Sequence, residues 1–354
     1  MHVVLMTPDL GGNSLGRTFC LWQLAHSLGW RVDVVAVRGA EVWKPLQGSL
    51  FAASCRVSSE AELLSEFGSA RPDLILAVKP LPDSFGIALR LSDALDLPLL
   101  LDIDDPDLES QLTWRNPIKR AAKSVLRRQR MTELKYLREV ATTVPVLVSN
   151  PNLQARHGGT IIPHVRVDTG FGNPHVSSSP TVAFIGTNRK HKGVAELRRA
   201  VGRLQDIGVE LVVTDQAPAD AKPWEKWIGS TTMERGREIV AESDIVVIPS
   251  RRGLMASLQL PAKLMDAMIS GRGIAVSNVG PLPWAVGESG VVFQPSSTAS
   301  LTAAILTLAD PALRSEFGKA ARERALEFAT VDANAEPFEL AVRSAIERGP
   351  RKKR

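Results

Sequence analysis

In the stretch 257-SLQLPAKLMDAMISGRG-273 the residues from Ala262 to Ile269 are apolar nearly all round, and Lys263, Asp266 and Ser270 interrupt that pattern. Spacings of three and four put all three on one face of a helix. Pro261 suits the first helical position. Leu260 before it has no side-chain oxygen and cannot cap, so the first N–H groups are open to an outside anion unless Ser257 or Gln259 folds back. Lys263, one turn in, can reach a phosphate or a sugar hydroxyl. Asp266, a further turn on, is an acceptor-only carboxylate suited to a vicinal diol such as that of a ribose. The plainer reading is a structural Lys263–Asp266 pair at i,i+3.

A second group of cations lies in 186-GTNRKHKG-193. Arg189, Lys190 and Lys192 stand between an apolar run and a helical pattern, where backbone dipole and formal charge together favour a diphosphate. A solvated basic loop is the alternative. In 7-TPDLGGNSLGR-17 the residues Gly11, Gly12 and Asn13 follow a strand and open a helix. The glycines allow close backbone approach to a ligand, although neither a dinucleotide fingerprint nor a Walker loop is spelled. The acidic run 101-LDIDDPDLE-109 carries Asp104 and Asp105 at a strand end, and Lys79 follows an earlier strand in the same way. Asp104 and Asp105 suit hydroxyl binding or proton transfer. Loop capping and surface charge would account for them equally. The D-x-D triplet Asp102-Ile-Asp104 is too short to argue for a metal. No Cys/His cluster has zinc spacing, and of the six histidines only His164, near the hinge, and His191, in the cationic loop, come near these residues.

These residues need a scaffold that gathers strand ends. Apolar runs at 2–6, 32–37, 73–78, 98–103 and 143–149 alternate with helical patterns at 15–30, 59–70 and 83–95. Continuous apolar strands in a βαβα order predict a doubly wound α/β domain with a buried parallel sheet. A Gly/Ser/Pro-rich linker at 164–180 follows. The alternation then restarts with strands at 181–186, 209–214, 244–250, 273–277 and 290–293. The expected division is a first Rossmann-like domain over 1–168 and a second over 169–330. A C-terminal helix and basic tail over 331–354 would pack back on the first. Ligands of such sheets bind at the carboxyl ends of the strands, so two facing domains would share a central cleft.

At 354 residues the chain is long for one core. Its 44% apolar and 23% charged residues are those of a globular protein. Cys20 and Cys55 argue against a disulfide scaffold and fit a reducing cytoplasm. No apolar run is long enough for a membrane span. The net charge of +5 is local: residues 114–138 hold nine Lys/Arg against Glu133, and 348–354 hold five more. With Trp114, Ile118, Val125 and Leu126 this reads as a basic amphipathic helix for an anionic membrane surface at the inner face. A helix packed on the sheet with a solvated basic face is the alternative. Nucleic-acid binding is disfavoured, since no aromatic platform accompanies the charge.

The segments 183-AFIGTNRKHKGVAEL-197, 239-IVAESDIVVIPS-250 and 257-SLQLPAKLMDAMISGRGIAVSNVG-280 resemble the C-terminal domain of the retaining GT-B glycosyltransferases of group 1, the family 4 enzymes. The resemblance implies that Arg189 and Lys192 bind the donor's diphosphate and stabilise it as it leaves. It also implies that Ser257, Leu258 and Gln259 form the phosphate-contacting turn and that Asp266 replaces the family's ribose-binding Glu. The family's preceding Glu, eight residues earlier, falls at Leu258, so its sugar-contacting role has no counterpart. Gly273 stands where Pro is common. The first half resembles the family only through its layout and the Gly11-Gly12 loop. The implied activity is metal-independent transfer of a sugar, with retention, from a UDP- or GDP-sugar to a hydroxyl of a glycan, lipid-linked or small acceptor. The nucleotide sugar is a substrate and no cofactor is implied. A sugar-nucleotide epimerase and a non-catalytic nucleotide-sugar-binding protein are the alternatives. Base contacts are expected near 228–233.

Overall fold

The computed structural model describes residues 1–112 and 124–351, with the side chains of 124–128 outside the described set. The chain divides into two compact units, residues 1–163 with 334–354, and residues 164–333.

The first unit is built on seven strands: β1 (His2–Met6), β2 (Arg31–Ala36), β3 (Cys55–Val57), β4 (Leu74–Val78), β5 (Leu99–Ile103), β6 (Val146–Val148) and β7 (Thr160–Ile161). They lie in the order β3-β2-β1-β4-β5-β6-β7, every neighbouring pair parallel. β1 and β4 sit at the centre, and all of β4 and Val3–Met6 are buried. That burial on both faces explains why these strands read as unbroken apolar runs. The order reverses between β1 and β4, so the loops after these two strands flank the switch point. The C-terminal helix Val331–Arg348 brings Phe338 against Trp30, with ring centroids 5.7 Å apart. Arg351 beyond it pairs with Asp93 at 2.9 Å.

The second unit has β8 (Thr181–Phe184), β9 (Glu210–Val213), β10 (Glu225–Trp227), β11 (Ile245–Ile248), β12 (Gly273–Ser277) and β13 (Val291–Phe293), in the parallel order β10-β9-β8-β11-β12-β13. Alternate residues feed two cores. Phe184, Val247 and Ala275 pack with the helices Val194–Gly202 and Thr298–Thr307. Ala183, Val246 and Ile274 pack with Ala262–Ile269 and Pro311–Phe328. The switch point lies between β8 and β11, whose loops carry the residues singled out in the sequence.

Both sheets are the doubly wound parallel type that the alternation predicts. The strands β3, β7 and β10 were not expected: at two or three residues each they are too short to show a period. The expected helix over 15–30 stops at Ser27, before Gly29 with φ 70°. Cys20 and Cys55 are free thiols. No helix among the described residues is long and apolar enough to cross a membrane. Of the basic segment 114–138, Trp114, Ile118, Val125, Leu126 and six of the nine cations lie outside the described side chains. Arg130, Lys135 and Arg138 are exposed, while Leu134 and Leu137 are buried.

Candidate functional site

In the second unit the two cationic stretches meet at the switch point. β8 ends at Phe184, and Ile185 and Gly186 open the loop to the next helix. Gly186 has φ 127°, and a Cβ there would lie 3.4 Å from the Lys263 Nζ. Its N–H donates to Thr214 Oγ1 at 2.7 Å, and the N–H of Asn188 to Asp215 at 2.5 Å, which ties the loop to the end of β9. Lys190–Lys192 wind a single tight turn that ends at Gly193, φ 71°. A Cβ at Gly193 would stand 1.9 Å from the carbonyl oxygen of Pro249, so only glycine fits between this loop and the end of β11. Arg251 strengthens that seam: its N–H donates to His191 O, and its guanidinium pairs with Glu196 at 2.5 Å. Arg189 is exposed.

From the opposite side comes the polar helix. Ser257 and Leu258 close a short helix, Leu254–Leu258, and an extended Gln259–Pro261 leads into Ala262–Ile269. Pro261, with ψ 126°, stands just outside the helix rather than at its first position, and no side chain caps this N-terminus. Ser257 Oγ is turned back to Leu254 O, leaving Gln259 as the side chain that meets the loop. Its Oε1 accepts from Lys192 Nζ at 2.9 Å. Lys263 Nζ donates to the carbonyl of Ile185 and lies 3.6 Å from the centroid of the Phe184 ring. The Lys263–Asp266 pair therefore does not form. Lys263 points to the end of β8, while Asp266 accepts from Arg166, Nε to Oδ1 at 2.5 Å and Nη2 to Oδ2 at 3.3 Å. Ser270 ends the helix, and its carbonyl accepts from Gly172 and Arg272.

The electrostatics of this corner are one-sided. Burial, and then the like charge of Lys192, push the Lys263 ammonium well below the usual lysine range, and no carboxylate among the described residues offsets them. A cation held by a carbonyl and a ring face, with a second cation nearby, is poised for an anion. The segment 228–233 adjoins the end of β9: Gly229 N–H donates to Asp215 O at 3.1 Å, and Ile228 is exposed.

In the first unit the sequence-predicted residues fall into two groups. Gly11, Gly12 and Asn13 follow β1 at the switch point, but neither glycine has positive φ. The N–H of Gly11 is taken by Asp9 Oδ1 at 2.6 Å, and the carbonyls of Gly12 and Asn13 accept from Leu15 and Gly16. In this βα turn the Gly11 amide is already bonded within the loop. Lys79, after β4, adopts φ 68° and turns its ammonium into the acidic run after β5. Nζ lies 2.7 Å from Asp104, 3.3 Å from Asp105 and 2.7 Å from Asp107. Burial opposes the lysine's charge, but Asp104, Asp105 and Asp107 more than offset that and hold its pKa well above normal. Asp107 is pushed up to about 6, by burial and by Asp104 and Asp105, against the pull of Lys79. The three carboxylates lie within 4.8 Å of one another, a spacing a metal ion could use, yet the ammonium already supplies the cation there. Asp104 is thus the ion-pair partner of Lys79 at the ends of β4 and β5.

Beneath this cluster lies a buried pair absent from the sequence reading. Arg17 grips Asp102, Nη2 to Oδ1 at 2.6 Å and Nε to Oδ2 at 3.0 Å, and donates to the carbonyls of Ile162 and Pro163. Asp107 and Arg166 were also missed. Asp107 had a signal, as the third acid of a dense run. Arg166, in a segment read as a linker, had none.

Residues 179–310 match the family described as Glycosyl transferases group 1, which covers the stretch on which the resemblance rests. Among curated proteins, none matches the chain. Solved structures match nearly end to end. A sucrose-phosphate synthase from Thermosynechococcus elongatus shares 16% identity, with 98% of this chain and 100% of that one covered at TM-score 0.68. Anabaena HepE in complex with UDP-glucose shares 14%, covering 97% and 100% at TM-score 0.74. WaaG, a glycosyltransferase involved in lipopolysaccharide biosynthesis, shares 12%, covering 96% and 98% at TM-score 0.64. The chain has the GT-B fold of these proteins, and the stretch matched by the family model lies in its second unit.

Proposed function

We propose that this protein transfers a sugar from a UDP-sugar to a hydroxyl acceptor, with the donor bound by the second unit. The observation that carries the reading is the placing of two lysines at the switch point of β8 and β11, Lys263 on the Ile185 carbonyl and the Phe184 ring and Lys192 on Gln259, with no carboxylate among the described residues offsetting Lys263. A diphosphate supplies the missing negative charge. Lys192, Lys263 and Arg189 then stabilise it as it leaves, the main electrostatic contribution in such chemistry. Gln259 orients Lys192, and Asp266 takes the ribose. UDP rather than GDP is favoured by the UDP and UDP-glucose complexes of Anabaena HepE. Transfer proceeds without a metal, since lysine and arginine do the neutralising, and with retention. The acceptor's hydroxyls are read by the Lys79–Asp104–Asp105–Asp107 cluster of the first unit. The basic segment 114–138, with exposed Arg130, Lys135 and Arg138, holds the protein on an anionic membrane surface where a lipid-linked acceptor would lie.

Incubation with UDP-glucose and no acceptor tests the activity. A transferase releases UDP slowly as water takes the sugar, and Lys192→Met abolishes the release. Interconversion of the sugar, or no release with any UDP-sugar, overturns the reading. For the membrane surface, charge reversal at Arg127, Arg128 and Arg130 should abolish binding to vesicles rich in anionic lipid. Unchanged binding contradicts it.

A further inference from the structure

Asp266 is the one carboxylate on the polar face of the helix Ala262–Ile269, and it does not stand alone. Arg166 meets it through both carboxylate oxygens, and both side chains are largely buried. The arginine is itself held in place. Its Nη1 donates to Val165 O at 2.9 Å, its backbone N–H to Ala329 O at 2.9 Å, and its carbonyl accepts from Val331 N at 3.0 Å. Arg166 bridges Thr330, so the two ends of the second unit pair with each other there. A carboxylate offers about four lone-pair directions. A two-point guanidinium contact uses one on each oxygen, fixes the plane of the group and leaves one on each oxygen.

We propose that Arg166 is a positioning residue for the donor's ribose: it orients Asp266 so that the remaining lone pairs accept from the 2′ and 3′ hydroxyls. The inference rests on the donor site proposed above. A carboxylate free to rotate would spend ordering entropy on each nucleotide bound, whereas one already locked does not. The arginine is held by the backbone bridge at Thr330, so the ribose contact is anchored within the second unit.

The readout is the preference for ribo- over deoxyribonucleotide, which damage to the fold does not alter. Dissociation constants of UDP and 2′-deoxy-UDP would be measured by calorimetry on the full chain, for wild type, Arg166→Gln and Arg166→Lys. Wild type should prefer UDP by about tenfold, the worth of one hydrogen bond to a charged acceptor. Arg166→Gln should bring the preference to within about twofold, with 2′-deoxy-UDP, which keeps only the 3′ contact, weakened less than UDP, and Arg166→Lys, which keeps charge but not the fork, should fall between. Should Arg166→Gln not fold, Arg166→Lys decides: an unchanged preference overturns the proposal. Equal weakening of both nucleotides, with the ratio kept, also overturns it. Wild type binding both nucleotides alike defeats this inference and leaves the phosphate site standing. Wild type binding neither defeats both.

Discussion

The ammonium of Lys263 lies over the ring of Phe184 and donates to the carbonyl of Ile185, so a residue expected to face phosphate is parked on the end of β8. It carries no acidic partner among the described residues, and Lys192 nearby makes its charge harder to hold. Replacing it should therefore help the free protein while harming the liganded one. Lys263→Met should leave the unliganded protein at least as stable as wild type, by about 0–2 kcal/mol, because an unmatched cation is exchanged for an apolar chain of similar length. The melting temperature in the absence of nucleotide checks this, and a clear drop would contradict it.

The same lysine gives a pH signature. Its folded pKa lies below its unfolded one. Between those two values the unfolded chain holds the extra proton, so stability rises with pH over that alkaline window. Lys263→Met should flatten the rise. Denaturant unfolding of both proteins at several pH values up to about 10 measures the difference.

At the acid end the Lys79 cluster works in the opposite sense. Asp107 titrates near 6 when folded, against an ordinary carboxylate when unfolded. The folded state binds the extra proton between those values, so this group's contribution falls as pH rises through about 4 to 6. Asp107→Asn should remove that slope. An unchanged slope would place the third acid outside the electrostatic reach of Asp104 and Asp105.

Arg17 and Asp102 are a structural pair, with both side chains essentially inaccessible. Asp102→Asn should cost about 3–5 kcal/mol, since it strands a buried guanidinium. Urea unfolding measures it, and a loss below about 1 kcal/mol would show that Arg17 finds other compensation.

Gly193→Ala puts a methyl carbon into the carbonyl of Pro249 and forces alanine into φ 71°. The loop carrying Lys192 must then shift away from β11. Loss of UDP binding with only a modest loss of stability is expected, and retained binding would separate Lys192 from the site.

The layout of both sheets was legible because it is written locally, in apolar runs and helical periods. The donor segment was legible for the same reason: Lys192 and Gln259 sit in loops, and Lys263 in the first turn of a helix, whose place after strand ends follows from the alternation. What the sequence hides is pairing across distance. Arg166 meets Asp266 a hundred residues on, and Arg17 meets Asp102 across 85. Such contacts depend on strand order, which short strands such as β7 and β10 do not announce. At Lys263 and Asp266 the plainer i,i+3 pair gives way to partners far along the chain, Ile185 and Arg166. At Gly11 the sequence did not show that Asp9, two residues back, takes the first amide of the turn.

The central claim is that the cations at the β8 and β11 loops await a diphosphate. UDP titrated into wild type, Lys192→Met and Lys263→Met by calorimetry tests it most directly. The account predicts binding to wild type that weakens with salt, and a loss of at least about tenfold in each variant, as expected when a charge-assisted contact is removed. Equal affinity in all three proteins would contradict it.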